Sequence, residues 1–288
     1  MIKLKNKYND STIKLFLKKI GLSQRTITNL AKQLGLMKIN GDSKIMTDII
    51  KKGQTLELYL KDEKPTTNVP KSSGKLNIVF EDDYFLIVDK PSNLPTIPSH
   101  NHEDNLASQV VNYIDNCVFR AMNRLDADTT GCVLIVKDVI TENLVRNNGK
   151  IYKEYIAIVN GKTSKKGIID YNIKDDVNLK KRVVSQDGLP AITYYKRLKY
   201  YKSKDVSIIK CHLKYGRTNQ IRCHFASINH PLMNDSKYAI IENCNDSFYL
   251  RCYKLTFVHP YLNRKIKIKL PLNLHDYLKK IWQIVISF

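Results

Sequence analysis

The stretch NRLDADTTGCVLIVK, residues 123–137, joins a polar loop directly to an apolar run. Its first nine residues include an arginine, two aspartates, two threonines and a glycine, and the next six are almost all apolar. A short apolar run that follows turn residues indicates a buried β-strand. The polar residues therefore lie at the start of a strand, where Asp126 and Asp128 are candidates for chemistry or for loop structure.

Similar strand patterns surround this stretch along most of the chain. They are LNIVF, YFLIVDK, YKEYIAIVNG, AITYYKRLKY, DVSIIKCHL, YLRCYKLTFV and KIKIKL, all beyond residue 75. Between these strands, helical patterns occur near 104–115, 217–228 and 274–285. Strands that follow one another without an alternating helix predict an α+β domain with a mixed, largely antiparallel sheet.

The net charge of the chain indicates a polyanionic partner. The 288 residues include 48 Lys and Arg against 27 Asp and Glu, a formal net charge of +21. Such a surplus favours nucleic acid, although a genome of biased base composition also enriches lysine. A chain of this length favours two domains.

Other bulk features predict a cytoplasmic protein with reduced thiols. No run approaches the ~20 apolar residues needed to span a membrane, and the first residues lack an apolar signal core. The six cysteines form no C-x-x-C pair and no disulfide framework; they are residues 117, 132, 211, 223, 244 and 252.

Residues 1–60 predict a small module of two helices followed by a β-hairpin. Apolar residues recur at helical spacing at Ile13, Phe16, Leu17 and Ile20, and again at Ile27, Leu30, Ala31 and Leu34. Ser23 can cap the second helix, Gly35 can end it, and Asn40-Gly41 is a hairpin signal. Residues 1–75 hold 16 basic and 6 acidic residues, a surplus of +10.

This module resembles the S-four-like RNA-binding domain, through the segments LSQRTITNL and MKINGD. A generic basic helical module is the alternative. The resemblance implies that cations on the polar faces bind RNA, namely Lys14, Lys18, Arg25, Lys32 and Lys38. Residues 61–75 are polar and aperiodic, which is typical of a linker, and residues 76–288 form the second predicted domain.

Simple motif readings of the polar loop fit poorly. Asp126-x-Asp128-x-Thr matches the aspartyl-phosphatase pattern, but there the buried strand precedes the acids, whereas here it follows them. The histidines and acids of SHNHEDN (residues 99–105) lack a distant partner at metal-ligand spacing, and no glycine-rich nucleotide loop occurs. We therefore predict no metal and no nucleotide cofactor.

Four ordered segments strongly resemble the RluA/RluD-type family of RNA pseudouridine synthases. They are IVFEDDYFLIVDKP (78–91), NRLDADTTG (123–131), YKEYIAIVNG (152–161) and LKYGRTNQIRCHFASINHPLMNDSKYA (213–239). The resemblance implies an isomerase that detaches uracil at N1 from ribose C1′, rotates it and rejoins it through C5. No cofactor is implied, because no redox step or group transfer occurs.

The resemblance also assigns roles to individual residues. Asp126 matches the family's catalytic aspartate, Arg222 the arginine that pairs with it, and Tyr155 the tyrosine that packs on the base and can take the C5 proton. Arg124 matches the arginine that helps hold the uridine flipped out of the RNA. Arg217 is a candidate to contact phosphate or to cap a helix.

The remaining residues of the loop are expected to be structural. Side chains of Asp128, Thr129 and Thr130 can bond nearby backbone, Gly131 permits a positive φ, and the Lys90-Pro91 loop is assigned a structural role.

Four positions depart from the family's pattern. Asn123 and Asn219 replace histidines, and Asn93 and Asn234 replace glycines. Because the histidines are not the proposed catalytic groups, we expect activity to survive. The main alternative is a non-catalytic RNA-binding or ribosome-assembly protein on the same scaffold. The N-terminal module favours ribosomal RNA as the target, with transfer RNA as the alternative, and no membrane or small-molecule partner is predicted.

Overall fold

The computed structural model describes residues 1–33, 35–60, 69–99, 104–115, 118–239 and 248–272, together with 274 and 278. Several residues named above lie outside these ranges: Leu34, His100, His102, Glu103, Cys117, Cys244, the first part of the predicted linker and most of the predicted helix at 274–285.

The N-terminal part contains two helices and six short strands. These are β1 (Ile2–Lys5), β2 (Ser11–Thr12), α1 (Ile13–Lys19), α2 (Gln24–Ala31), β3 (Met37–Ile39), β4 (Asp42–Ser43), β5 (Ile49–Ile50) and β6 (Thr55–Leu58). Four of the strands form a sheet in the order β1-β6-β3-β4, and β2 pairs with β5. The two helices and the β3–β4 hairpin are as predicted, whereas the pairing of β1 with β6 was not predicted.

Local sequence signals explain the boundaries of these elements. The Thr26 backbone N–H donates to the Ser23 hydroxyl at 3.2 Å, which caps α2 as predicted. Asn40 and Gly41 both have positive φ, 52° and 87°, as a two-residue hairpin turn of this type requires. The helix itself ends at Ala31, before the predicted stop at Gly35.

The rest of the chain is built on one nine-stranded sheet. Its elements are β7 (Ile78–Glu81), β8 (Phe85–Lys90), α3 (Leu106–Tyr113), β9 (Thr130–Val136), α4 (Val139–Asn148), β10 (Tyr152–Asn160), β11 (Lys166–Asp170), β14 (Ile192–Tyr201), β15 (Val206–Leu213), α5 (Gln220–Ser227), β16 (Leu250–His259) and β17 (Arg264–Lys269), with the separate hairpin β12 (Ile173–Asp176) and β13 (Lys181–Val184).

The main sheet runs in the order β11-β14-β15-β10-β16-β9-β8-β7, and β17 pairs with β16. Among the described strands of this sheet, β16 and β9 pair in parallel and the other pairs are antiparallel. The α+β class with a mixed, largely antiparallel sheet is therefore confirmed. The apolar run after the polar loop is β9, and from Gly131 onward it is buried throughout.

Helix α4 connects the two parts of the molecule. Its side chains Ile140 and Leu144 belong to the same buried cluster as the apolar residues of the N-terminal part. The Ser23 backbone N–H donates to Asn143 Oδ1 at 2.8 Å, and the Thr26 hydroxyl donates to the same oxygen at 3.2 Å. The N-terminal part is thus packed on α4 by a shared core and by hydrogen bonds.

The described helices are short, the longest having 10 residues. In the portion of the chain that the structure describes, none has the length and apolar character required to cross a membrane.

Candidate active site

A cleft of about 840 Å³ lies beside the start of β9. Three distant segments line it: the polar loop with its neighbour 95–99, the start of β10, and the stretch from Leu213 to Arg222. The three residues predicted to be catalytic, Asp126, Tyr155 and Arg222, all line this one cleft. The fold therefore brings together residues that are 29 to 96 positions apart in the sequence.

The loop that carries Asp126 is held by a buried lysine. Lys90, at the end of β8, is fully buried, and its ammonium donates to the carbonyls of Pro91, Leu94 and Ala127 at 2.6–2.7 Å. These bonds join the loop after β8 to the residue that follows Asp126. Burial lowers the pKa of Lys90 to about 8, while the carboxylates of Asp128 and Asp126 act in the opposite direction. The structural role assigned to the Lys90 loop agrees with this geometry.

Two further side chains fix the same loop. The Thr96 hydroxyl donates to the Leu125 carbonyl at 2.7 Å and accepts from the Leu125 N–H at 3.0 Å. Asn123 donates to the Cys132 carbonyl at 3.0 Å and accepts from the Leu134 N–H at 2.9 Å. Asn123, which stands where the family has histidine, therefore ties the loop to β9.

The predicted role of the two threonines of the loop needs correction. We expected Asp128, Thr129 and Thr130 to shape the loop by bonding nearby backbone. Among the described residues, the Thr129 hydroxyl is instead buried without a hydrogen-bond partner, and the Thr130 hydroxyl makes a 3.5 Å contact with the Leu250 carbonyl. The loop is shaped by longer-range bonds from Lys90, Thr96 and Asn123, which arise from the tertiary fold and leave no local sequence signal.

Close packing requires the glycine that ends the loop. Gly131 has φ 114°, and a Cβ there would lie 2.3 Å from the Cys252 carbonyl oxygen on β16. This position is where β9 and β16 pair in parallel. The expectation of a positive φ at Gly131 is confirmed, and the short contact with β16 adds a second reason for glycine.

Backbone conformation explains the two asparagines that replace family glycines. Asn93 and Asn234 have φ of 57° and 63°, in the left-handed region. Asparagine tolerates this region better than other residues with a Cβ. Both substitutions therefore retain the backbone conformation that glycine would allow.

Burial and neighbouring charges shift the pKa of Asp126 in opposing directions. Burial raises the pKa of Asp126, the charges of Arg222, Lys90 and Arg124 lower it, and Asp128 raises it, with a net upward shift. Among the described residues, no group donates a hydrogen bond to the carboxylate, so its oxygens are available to a substrate in the cleft.

Arg222 is placed differently from the prediction. Its guanidinium makes a buried, bidentate ion pair with Asp235, with Nε–Oδ2 and Nη2–Oδ1 distances of 2.7 Å. It also lies over the Phe248 ring, 4.4 Å from the centroid. The expected direct pair with Asp126 is therefore wrong: Arg222 acts on Asp126 through its charge, and Asp235 is the partner. Asp235 lies in the NDSKYA segment, and its role was not predicted.

Tyr155 is on β10 with its side chain almost fully buried, at 5% exposure. Burial raises the pKa of its hydroxyl well above 10, with further increases from Cys252, Cys211 and Asp126. The phenol is consequently protonated at neutral pH. It can accept the C5 proton only if its own proton moves on at the same time.

The residues predicted to bind RNA fall into two groups. Arg124 and Arg217 line the cleft. The Arg217 side chain donates to the Pro190 carbonyl at 3.1 Å, and its backbone N–H is bonded by Gln220 at the start of α5. Lys14, Lys18, Arg25, Lys32 and Lys38 lie on the N-terminal part and do not line the cleft.

No group of three or more metal-ligating side chains occurs in the ranges that the structure describes. His224, beside Cys223, is buried and hydrogen-bonded to Thr193 and to the Tyr171 carbonyl, so its surroundings are structural.

Comparison with known proteins assigns the chain to a family. The family model described as RNA pseudouridylate synthase matches residues 84–227. The "Uncharacterized RNA pseudouridine synthase YhcT" of Bacillus subtilis is 30% identical over 247 residues, which cover 82% of this chain and 81% of that protein. The chain belongs to the RNA pseudouridylate synthase family. It is an isomerase that acts on uridine in RNA, of the RluA/RluD type.

A further relative and a solved structure are also similar to this chain. The "Ribosomal large subunit pseudouridine synthase D" of Nitrosomonas europaea is 36% identical over 172 residues, covering 57% of this pseudouridine synthase and 49% of that protein. The structure of "Human RNA Pseudouridylate Synthase Domain Containing 1" superposes with a TM-score of 0.58 at 20% identity, covering 71% of this chain and 86% of that one. At that identity the likeness shows a shared fold.

Proposed function

We propose that this synthase converts specific uridines of ribosomal RNA to pseudouridine. In this proposal the Asp126 carboxylate attacks ribose C1′ or assists the elimination of uracil. The observation that carries the proposal is that Asp126, Tyr155 and Arg222 line one cleft although they come from three separate segments. An unbonded carboxylate in a partly desolvated cleft is suited to form a covalent sugar ester or to assist elimination.

The cations around Asp126 support this role. At neutral pH the reaction requires the carboxylate, and burial alone would favour the neutral acid. Arg222, Lys90 and Arg124 oppose that effect. Because Lys90 and Arg222 are themselves fixed by carbonyls and by Asp235, their charges stay in place while the substrate changes.

We assign Tyr155 to the face of the flipped base. Its buried ring can pack against uracil, and the hydroxyl can relay the C5 proton. Since the phenol is protonated in the free protein, the relay needs a second acceptor, and the Asp126 carboxylate is the nearby anion that influences the Tyr155 pKa. Arg124 and Arg217 are assigned to the RNA that enters the cleft.

Residues 1–60 are proposed to be an S-four-like RNA-binding module, followed by a linker at 61–75 and the catalytic domain at 76–288. Lys14, Lys18, Arg25 and Lys32 are exposed, and none forms an ion pair with any described residue. Unpaired surface cations are suited to phosphate contacts. Ribosomal RNA is favoured by this module and by the names of relatives such as the Nitrosomonas europaea protein.

The direct test is a map of pseudouridine in cellular RNA with and without the gene. Complementation with the wild-type gene should restore the missing sites, and an Asp126→Asn gene should not. Loss confined to ribosomal RNA supports the proposed target, and loss confined to transfer RNA would redirect it. A map that is unchanged in every RNA would favour the non-catalytic alternative.

A further inference from the structure

Lys153 is a cation of the cleft that is half-buried and has no anionic partner among the described residues, whereas Arg124 and Lys237, which also lack an ion pair there, are exposed. Within the parts of the chain that the structure describes, no carboxylate lies within ion-pair distance of its ammonium. By contrast, Arg222 is paired with Asp235, and Arg146 is paired with Glu142 at 2.9 Å. Lys153 is half-buried and lines the cleft.

The acid beside Lys153 in the sequence cannot neutralise it. Glu154 projects from the other face of β10, where it is bonded to Tyr253 at 2.9 Å and paired with Lys210 and Lys254. These contacts lower the pKa of Glu154 to about 2, against the opposing effect of burial. The charge of Glu154 is therefore balanced on the face of the sheet that lies away from the cleft.

Lys153 and Tyr155 share one face of β10. Residues two positions apart on a strand lie about 6.6 Å apart on the same side. Both also contact the environment of the buried Cys252 thiol. Burial raises the pKa of that thiol, whereas the charge of Lys153 and a hydrogen bond with Tyr155 lower it. On the opposite wall, the Lys153 ammonium lies 4.0 Å from where a Gly216 Cβ would be. The ammonium therefore reaches across the cleft beside the proposed position of the base.

We propose that Lys153 is a catalytic residue whose ammonium stabilises the uracil anion released when the glycosidic bond breaks. This inference rests on the proposed function. A cation that is unpaired and partly removed from water interacts more strongly with a new negative charge than one at the surface. Burial correspondingly lowers the pKa of Lys153, and the Cys252 thiol acts in the opposite direction.

The step balances without a further reactant. As the C1′–N1 bond breaks, its electron pair leaves with uracil. Either C1′ then bonds to an Asp126 carboxylate oxygen, or the neighbouring C2′ loses a proton to that carboxylate and a C1′=C2′ double bond forms. The uracil then carries one negative charge, spread over N1, O2 and O4. Lys153 donates a hydrogen bond to this anion and keeps its proton. When C5 attacks C1′, either the C1′–O bond breaks and frees the Asp126 carboxylate, or C2′ takes its proton back from Asp126. C5 then loses its proton and N1 gains one.

The permanent phosphate charges of the RNA are the competing target. Arg124 and Lys237 line the cleft as exposed cations and are better placed for a solvated backbone. A phosphate contact by Lys153 would change RNA affinity and reduce the salt slope by ~0.7 for a single strand. Stabilisation of the departing base would change kcat instead.

The experiment compares Lys153→Met, Lys153→Gln and Lys153→Arg with wild type, and uses Lys196→Met, an exposed lysine outside the cleft, as the matched control. We expect both neutral variants to lose on the order of 10²-fold in kcat, the size of effect found when one oxyanion donor is removed. Their RNA Kd and salt slope should match wild type, Lys153→Arg should recover part of kcat, and the control should retain it.

A second substrate tests the chemical assignment. An RNA with 5-fluorouridine at the target site releases a more stable uracil anion, so cleavage of the glycosidic bond should be less impaired in Lys153→Met than it is with uridine. A raised Kd and a flatter salt slope at unchanged kcat, in folded variants of an active wild type, would overturn the inference. An inactive wild type would instead overturn the proposed function.

Discussion

Asp126 combines a functional requirement with an energetic cost. The proposed chemistry needs its ionised form, whereas burial raises its pKa above the ordinary value of 3.8 despite three neighbouring cations. A carboxyl group whose pKa is raised by folding destabilises the folded state once it is ionised. The ionised carboxylate that the proposed chemistry requires is therefore unfavourable for stability.

The first prediction follows from this balance. Asp126→Asn should abolish pseudouridine formation by purified protein on cellular RNA. It should also be at least as stable as wild type at neutral pH, because Arg222 keeps Asp235 as its ion-pair partner. Between pH 3.8 and the raised pKa, the folded state holds a proton that the unfolded state has lost, so wild-type stability falls as pH rises through this window.

Chemical denaturation at several pH values measures this difference, which should shrink as the pH is lowered. Asp128→Asn is the matched control and should retain residual catalysis. Substantial activity in Asp126→Asn, or complete loss in a folded, RNA-binding Asp128→Asn, would show that the wrong carboxylate was chosen. The acid limb of the wild-type pH–rate profile should lie above pH 3.8.

Tyr155→Phe tests the proton relay. The phenyl ring can still pack against uracil, but the oxygen that could pass on the C5 proton is absent. We expect near-normal RNA binding together with a steep fall in pseudouridine yield, measured by binding and single-turnover assays on the same RNA. Wild-type turnover would leave Tyr155 with a packing role only.

At the scale of elements, the loops depend on residues with unusual backbone angles. Asn93 is exposed and has φ 57°, so its side chain can be changed without disturbing the core. Asn93→Ala should lower the free energy of unfolding by about 1 kcal/mol, because alanine tolerates the left-handed region poorly. Asn93→Gly should differ little from wild type. Urea denaturation of the pair provides the measurement, and equal stabilities would remove the backbone explanation for this departure from the family pattern.

Short-range signals made several elements predictable from sequence. The cap at Ser23, the Asn40-Gly41 turn and the apolar run of β9 depend on residues within a few positions of one another. The pairing of β1 with β6 was missed because it joins segments about 50 residues apart. The two-residue spacing of Lys153 and Tyr155 was visible in the sequence, but the lack of a partner for Lys153 was not.

The candidate site was predictable where a motif kept its proposed catalytic residue, even though Asn123 and Asn219 depart from the motifs around Asp126 and Arg222. Asp126, Tyr155 and Arg222 were identified from their segments, and the fold brings them into one cleft. Asp235 was missed as the partner of Arg222, since an ion pair across 13 positions has no characteristic spacing in a loop. The three carbonyl bonds of Lys90 were likewise invisible, because backbone acceptors leave no side-chain pattern.

At the scale of the whole molecule, the surplus charge of the N-terminal part should control RNA affinity. Replacing Lys14, Lys18, Arg25 and Lys32 together by glutamine should weaken RNA binding and flatten its salt dependence, by ~0.7 in slope for each single-strand phosphate that the protein no longer neutralises. The rate at saturating RNA should fall much less than the affinity. Filter binding across a salt series provides the test, with Lys51→Gln and Lys52→Gln as charge controls on the same part. Unchanged affinity and slope would contradict the RNA-binding assignment.

These substitutions are preferable to deletion of residues 1–60. Ile140 and Leu144 of α4 are buried in the cluster that the N-terminal part contributes. Deletion would expose both side chains, so a loss of activity would not distinguish weaker RNA binding from a damaged catalytic domain.

The shared core at α4 fixes the position of the proposed RNA-binding module relative to the cleft. The same helix carries Asn143, which is bonded to the N-terminal part, and Arg146, which lines the cleft. The distance between the proposed RNA-binding surface and Asp126, the proposed catalytic carboxylate, is thus set by packing and not by the length of the connecting chain. Lengthening the predicted linker should leave the choice of uridine unchanged, whereas loosening the helix contact with Asn143→Ala should let the enzyme modify neighbouring uridines, as pseudouridine mapping would show.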